Sequence, residues 1–226
     1  MMRPDSKFLG KRVFDVRRQA GRLLWEDHPV YPQEGETFRI MPVPNSGRPS
    51  ALGYYQEARK NLGEQVEWDE TLLASAYYGR NFIKDSGKRA ADLKFYPIPD
   101  QFDENTSIVL IDDSIVRGDT TKKIVDMARN CIKAGAKKVH VRIPSPEIKN
   151  PCPYGVNMST YEEFIANRIP DIIEREQFLR TTSLRHLSLD RLIQATGLPK
   201  EVFCTHCLDG NGPPLPKDGT IPLRTI

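Results

Sequence analysis

Residues 107–123, SIVLIDDSIVRGDTTKK, constrain this chain more than any other stretch of it. The run TSIVLI over residues 106–111 is apolar and β-branched, the pattern of a buried strand. Two acids, Asp112 and Asp113, end the run, and a loop with one glycine, Gly118, and two hydroxyls, Thr120 and Thr121, leads into a helical pattern. FRIMPV (residues 38–43) is a second β-prone run followed by loop and helix, and KVHVRI (residues 138–143) is a third strand. Strand then helix, repeated, requires a parallel sheet and an α/β fold. Such sheets bind ligands in the loops at the carboxyl ends of their strands, so chemistry is expected after Val43 and after Ile111.

The flanking segments give the sheet its cover. Leu9, Val13, Val16, Ala20 and Leu23 recur at steps of three and four and predict a helix over residues 8–24. Residues 160–195 read as further short helices, with Ser188 and Asp190 as a cap. The Pro/Gly-rich end, from residue 210 onward, has no periodicity.

Length and charge narrow the class of function. With 226 residues the chain makes one large domain or two small ones, and 38% hydrophobic against 28% charged residues describe a globular protein. No apolar run approaches the ~18 residues of a membrane span, and the start lacks a signal-like apolar core, so a cytoplasmic protein without a membrane partner is expected. Lys and Arg number 33 against 30 Asp and Glu, and a net +3 is no nucleic-acid footprint. An anionic partner therefore has to be bound locally. Four cysteines are too few for a disulfide scaffold, and the CxxC at Cys204 and Cys207 points to metal or redox chemistry.

Each part of the 107–123 segment has a physical use. Backbone N–H groups of a tight loop opening a helix, aided by Thr120 and Thr121, make an anion site for a phosphate. Gly118 permits the turn. Asp112 and Asp113 can accept hydrogen bonds from vicinal sugar hydroxyls or hold Mg²⁺, which prefers carboxylate oxygens. A sugar phosphate satisfies both halves. The plainer alternative is an ordinary βα turn with two solvated acids. A nucleotide-triphosphate loop of the Walker type is excluded, because no Lys-Ser or Lys-Thr follows the glycine.

DDSIVRG, together with RPDS at residues 3–6, PVPNSG at 42–47, YYGRNFI at 77–83, residues 133–166 and FCTHCLDGNGPP at 203–214, resembles the amidophosphoribosyltransferases in the same order along nearly the whole chain. The resemblance implies a type I phosphoribosyltransferase fold, a mainly parallel sheet flanked by helices with a mobile hood. It implies a Mg²⁺-dependent reaction in which ammonia displaces pyrophosphate from carbon 1 of phosphoribosyl pyrophosphate (PRPP). Asp112 and Asp113 would hold the ribose and the metal, Ser46 would join the metal site, and Pro44, Asn45, Ser46 and Gly47 would form the pyrophosphate loop. Ser114, Ile115, Val116, Arg117, Gly118, Asp119, Thr120 and Thr121 would bind the 5-phosphate, while Arg80 and Lys94 in the hood would close over the ligand. A homo-oligomer is expected, with residues 1–203 as the transferase domain and residues 204–226 as a CxxC segment and tail.

The chain also departs from that family. It begins beside RPDS, which in the family follows a glutaminase domain, so glutamine hydrolysis is not expected here. Free ammonia, a separate glutaminase subunit or another amine would supply the nitrogen. The family's VPDS reads VPNS, which puts Asn45 in place of an acid, and RGTTS reads RGDTT, which sets Asp119 beside a phosphate. Ala74 and Ala76 stand where the family has a Lys and an Arg. Those losses support an alternative reading, a catalytically weak protein that senses PRPP or a nucleotide. Cys152, Cys204 and Cys207 match three of the four ligands of the family's [4Fe–4S] cluster, leaving a cluster or Zn²⁺ as candidate occupants. Cys131 is expected to be a buried apolar residue.

Overall fold

The computed structural model describes residues 3–74, 95–96, 98, 101–132, 138–152 and 160–212. A short antiparallel hairpin, β1 (Lys7–Phe8) and β2 (Lys11–Arg12), leads into α1 (Val13–Asp27). Next come β3 (Thr37–Pro42), α2 (Arg48–Leu62), β4 (Val66–Trp68) and the small antiparallel pair β5 (Leu73–Ala74) and β6 (Phe95–Tyr96). The chain continues through β7 (Thr106–Ile111), α3 (Asp119–Asn130) and β8 (Val139–Ile143). It then adds α4 (Ile165–Arg168), α5 (Ile172–Leu179), β9 (Ser183–His186), α6 (Leu189–Thr196) and α7 (His206–Asp209).

Five of these strands form one sheet in the order β4-β3-β7-β8-β9, parallel at every pairing. All six residues of β7 are buried, which explains its unbroken apolar run: it lies mid-sheet with helices on both sides. Successive side chains alternate between two cores. Ile108 and Leu110 pack with Met41, Val141, Ile124 and Val125, under α3. Val109 and Ile111 pack on the other face with Phe38, Ile40, Leu24 and Tyr54, under α1 and α2. The register pairs Pro42 with Ile111, Ile111 with Arg142, and Ile143 with His186. The strand ends are thereby kept level, and the loops leaving them open on one edge of the sheet.

Two expectations need correction. The helix predicted over residues 8–24 starts at Val13 and runs to Asp27, because Leu9 and Gly10, at φ 46° and 78°, reverse the chain into the hairpin. Leu9, counted in the apolar stripe, is 58% exposed. The amides of Val13 and Phe14 donate instead to the carbonyls of Ser6 (2.9 Å) and Pro4 (3.0 Å), so the RPDS stretch satisfies the start of α1. Residues 160–195, read as helices alone, also contain β9 at the sheet edge. Ser188 does cap α6, accepting from the Arg191 amide at 3.3 Å. Among the described residues no helix is long and apolar enough to cross a membrane.

Candidate functional site at the ends of β3 and β7

The loop after β3 is held against the end of β7 by its backbone. Val43 N–H donates to the Ile111 carbonyl at 2.8 Å, and Gly47 N–H closes a turn onto the Val43 carbonyl at 2.9 Å. A Cβ on Gly47 would stand 2.1 Å from that Ile111 oxygen, so only glycine lets the two segments approach this closely. Within the loop Pro44 is half-buried, Asn45 is exposed, Ser46 is half-buried, and the Pro44–Asn45 peptide is cis.

This approach brings the first predicted partners together. Ser46 Oγ donates to Asp112 Oδ1 at 3.2 Å, and the same carboxylate oxygen accepts from the Asp113 amide at 2.8 Å. Asp112 is 9% exposed. Asp113 is more open, and Ser114 Oγ lies 3.4 Å from its Oδ1. Sequence reasoning missed a further participant, Arg17 of α1. Its Nη1 donates to the Ser46 carbonyl at 3.0 Å and sits 3.7 Å from Asp113 Oδ2. A signal for it exists: Arg17 lies four residues after Val13 and three before Ala20, a charge on the apolar stripe of an amphipathic helix.

The loop from Ser114 to the start of α3 is tied down from the other side. Ile115 is buried in the core under α3, so only its backbone is available to a ligand. The Val116 carbonyl accepts from the Ile165 amide at 2.8 Å, and the Arg117 carbonyl from Arg168 Nη2 at 3.0 Å. Arg117 also pairs with Glu163 at 2.5 Å. Gly118 has φ 89° and caps α3, and a Cβ there would meet Ile165 Cδ1 at 2.5 Å. Asp119 and Thr120 in the first turn are exposed, whereas Thr121 is only 4% exposed. The helix thus begins at the strand-end acids with its first N–H groups unused by the helix itself, the arrangement that binds anions.

Ser46, Asp112 and Asp113 bring hard oxygen donors together, the kind of ligand that would suit Mg²⁺. Cys152, Cys204 and Cys207 are free thiols. Among the described residues no group of three His, Cys, Asp or Glu side chains is gathered to hold a metal. Burial pushes the Cys207 thiol up, with the Cys152 and Cys204 sulfurs nearby adding to it. Cys131 is fully buried in the core, its thiol pushed up to about 11 by burial. The CxxC segment packs on the body, with the Cys207 carbonyl accepting from the amides of Lys149 (2.9 Å) and Asn150 (3.1 Å). Arg80, Lys94 and Ala76 lie outside the described residues, and Ala74 is placed in β5 by its backbone alone.

A parallel sheet with paired acids at one strand end, a hydroxyl-bearing loop beside them and a glycine-opened helix behind is the fold of the type I phosphoribosyltransferases. No family model matches the chain. Its sequence is 38% identical over 220 residues to the amidophosphoribosyltransferase of Methanothermobacter thermautotrophicus, covering 96% of this chain and 43% of that protein. Over 228 residues it is 37% identical to the Drosophila melanogaster amidophosphoribosyltransferase, covering 93% and 38%. Among solved structures, the glutamine PRPP amidotransferase of B. subtilis, complexed with ADP and GMP, superposes with a TM-score of 0.78 at 31% identity, over 97% of this chain and 47% of that one. Nearly the whole chain is thus similar to proteins named amidophosphoribosyltransferase, and it spans about two fifths of the length of the relatives it matches.

Proposed function

We propose that the chain binds PRPP with Mg²⁺ across the ends of β3 and β7 and transfers the phosphoribosyl group to ammonia. The observation that carries this is the contact of Ser46 with Asp112, which joins the loop of residues 44–47 to the strand-end acids beside the opening of α3. Asp112 and Asp113 accept hydrogen bonds from the ribose hydroxyls and fix the ring. Backbone N–H groups of residues 114–121 hold the 5-phosphate at the positive end of α3. The loop of residues 44–47 faces the pyrophosphate, and Asn45 adds an amide donor to it. Mg²⁺, held by Ser46, Asp112 and Asp113, would offset part of the charge on the leaving group.

In the reaction the nitrogen lone pair of ammonia forms a bond to carbon 1 as the carbon–oxygen bond to pyrophosphate breaks. The bonding pair leaves with pyrophosphate, and the new amine sheds its proton to solvent. Charge develops on the ring and on the leaving group, so groups fixed before the reaction lower the barrier most. Arg80 and Lys94 belong to this proposal as cations that close over the pyrophosphate, and a separate glutaminase subunit and a homo-oligomer belong to it as partners. The second reading, a sensor that binds PRPP and turns it over weakly, is favoured by Ala74 and Ala76 in place of a Lys and an Arg.

Calorimetry on the purified chain tests the binding. Uptake of PRPP is expected to require Mg²⁺ and to vanish in the double variant Asp112→Asn, Asp113→Asn. Undiminished affinity in that variant contradicts the assignment. Pyrophosphate release with ammonium then separates the transferase from the sensor.

A further inference from the structure

The site described so far is built from two strand-end loops, yet α1, from a different part of the chain, also reaches it. Arg17 is held with its side chain only 16% exposed, among Ala20, Gly21 and Leu24 on the packing face of the helix. A guanidinium in that position loses hydration and has to recover it from fixed partners. Those partners belong to the two halves of the site. A single nitrogen, Nη1, donates to the main-chain carbonyl of Ser46 and faces Asp113 Oδ2, itself on a side chain 19% exposed. The helix is anchored in turn, at its first amides by the Ser6 and Pro4 carbonyls.

We propose that Arg17 is a positioning residue of the site, clamping the loop of residues 44–47 and the Asp113 carboxylate in one fixed relation. The inference rests on the PRPP reading above and deepens it. Ser46 approaches Asp112 through its hydroxyl, while its carbonyl is taken by Arg17. The loop is therefore held through two different atoms of Ser46, and the Asp113 carboxylate beside it has a fixed cation to face. Asp112 and Asp113, adjacent in sequence and both anionic, repel one another and the incoming pyrophosphate. A cation fixed at their side offsets that repulsion before the ligand arrives. Precision of this kind matters because displacement by about 1 Å can cost about 100-fold in rate.

The test compares Arg17→Ala, Arg17→Lys and, as a neighbouring control, Arg18→Ala, whose side chain is 43% exposed and pairs with Asp15 at 4.0 Å. Titration with PRPP and Mg²⁺ is expected to show affinity falling about tenfold in Arg17→Ala, the size of one charge-assisted contact. The kcat for pyrophosphate release falls and the KM for PRPP rises in that variant. Arg17→Lys, which keeps the positive charge, recovers part of the loss, and Arg18→Ala matches the wild type. In a cycle with Asp113→Asn, the double variant loses less than the product of the two single losses. Wild-type affinity in Arg17→Ala, or strictly multiplicative losses in the cycle, overturns the role. So does a fall in Tm with kcat and KM unchanged per folded molecule, which marks a purely structural arginine. A wild type that binds no PRPP overturns the reading of the site and the role of Arg17 with it, whereas a wild type that binds alongside an equally binding Arg17→Ala overturns the role alone.

Discussion

Replacing Gly47 by alanine tests whether the approach of the β3 loop to β7 makes the site. The added Cβ falls 2.1 Å from the Ile111 carbonyl oxygen and 3.1 Å from both the Ile111 carbonyl carbon and the Val43 nitrogen. All three neighbours are backbone atoms, so no side chain can swing aside. Carbon makes comfortable contact at roughly 3.5 Å, so the loop must retreat by about 1.4 Å from the strand end. Overpacking of this size costs about 1 to 3 kcal/mol, and it stretches the 2.8 Å bond from the Val43 amide to Ile111. In a chain of 226 residues, each kcal/mol lowers Tm by about 2 to 4 °C, which predicts a fall near 5 °C. The larger effect is on geometry, because Ser46 would move away from Asp112 and misplace whatever bridges them. Affinity for PRPP with Mg²⁺ is expected to drop at least about tenfold and pyrophosphate release about 100-fold. The control is Gly35→Ala, at φ 77° with open space around it, which costs about 1 kcal/mol of stability from strain and leaves both readouts untouched. Unchanged binding and turnover in Gly47→Ala would refute the claim that this contact assembles the site.

Gly118→Ala is expected to weaken PRPP binding, since its φ of 89° strains any side chain and the new methyl meets Ile165 Cδ1 at 2.5 Å. Ribose 5-phosphate, tested as a competitor, should lose affinity to the same degree if the turn holds the 5-phosphate. Introducing Ala74→Lys with Ala76→Arg should raise pyrophosphate release more than PRPP affinity, each restored cation supplying about 1.5 to 3 kcal/mol to the leaving group. No gain in rate contradicts that account of the hood. Burial, with the Arg142 guanidinium close by, pushes His140 down from 6.5 to about 4 in the folded protein. The unfolded chain then binds the extra proton between those values, so stability is whole above about pH 6.5 and falls as pH drops toward 4. Urea unfolding should show a loss of about 2 kcal/mol between pH 7 and pH 5 from this group, and His140→Gln should flatten that slope.

The centre of the fold was legible because its physics is local. β7 is buried on both faces, so its residues are apolar in unbroken succession, and the structure gives Thr106–Ile111 the bounds that its composition predicts. The acids after it, Gly118 and the start of α3 follow from strand-end and helix-start chemistry that neighbouring residues alone specify. β4 and β9 were not legible. They hold three and four residues, too short for a period to register, and they are strands because a buried neighbour offers them a hydrogen-bonding edge. The start of α1 was misplaced for a related reason: the helical spacing runs on through Leu9, but a turn at Leu9 and Gly10 and the carbonyls of Pro4 and Ser6 decide where the helix begins.

The sequence by itself determined that this is a parallel α/β protein with two acids and a glycine turn into a helix after its central strand, because burial and turn geometry select residue types within a few positions. Only the tertiary structure decided that Ser46 meets Asp112 across 66 residues, that Gly47 must be glycine against Ile111, and that Arg17 joins the site from the first helix. Those relations depend on the strand order that places β3 beside β7 and on the helix laid across them. A contact between distant segments leaves no spacing rule in the chain; it exists because burying the two faces of one sheet forces those segments into the same few ångströms.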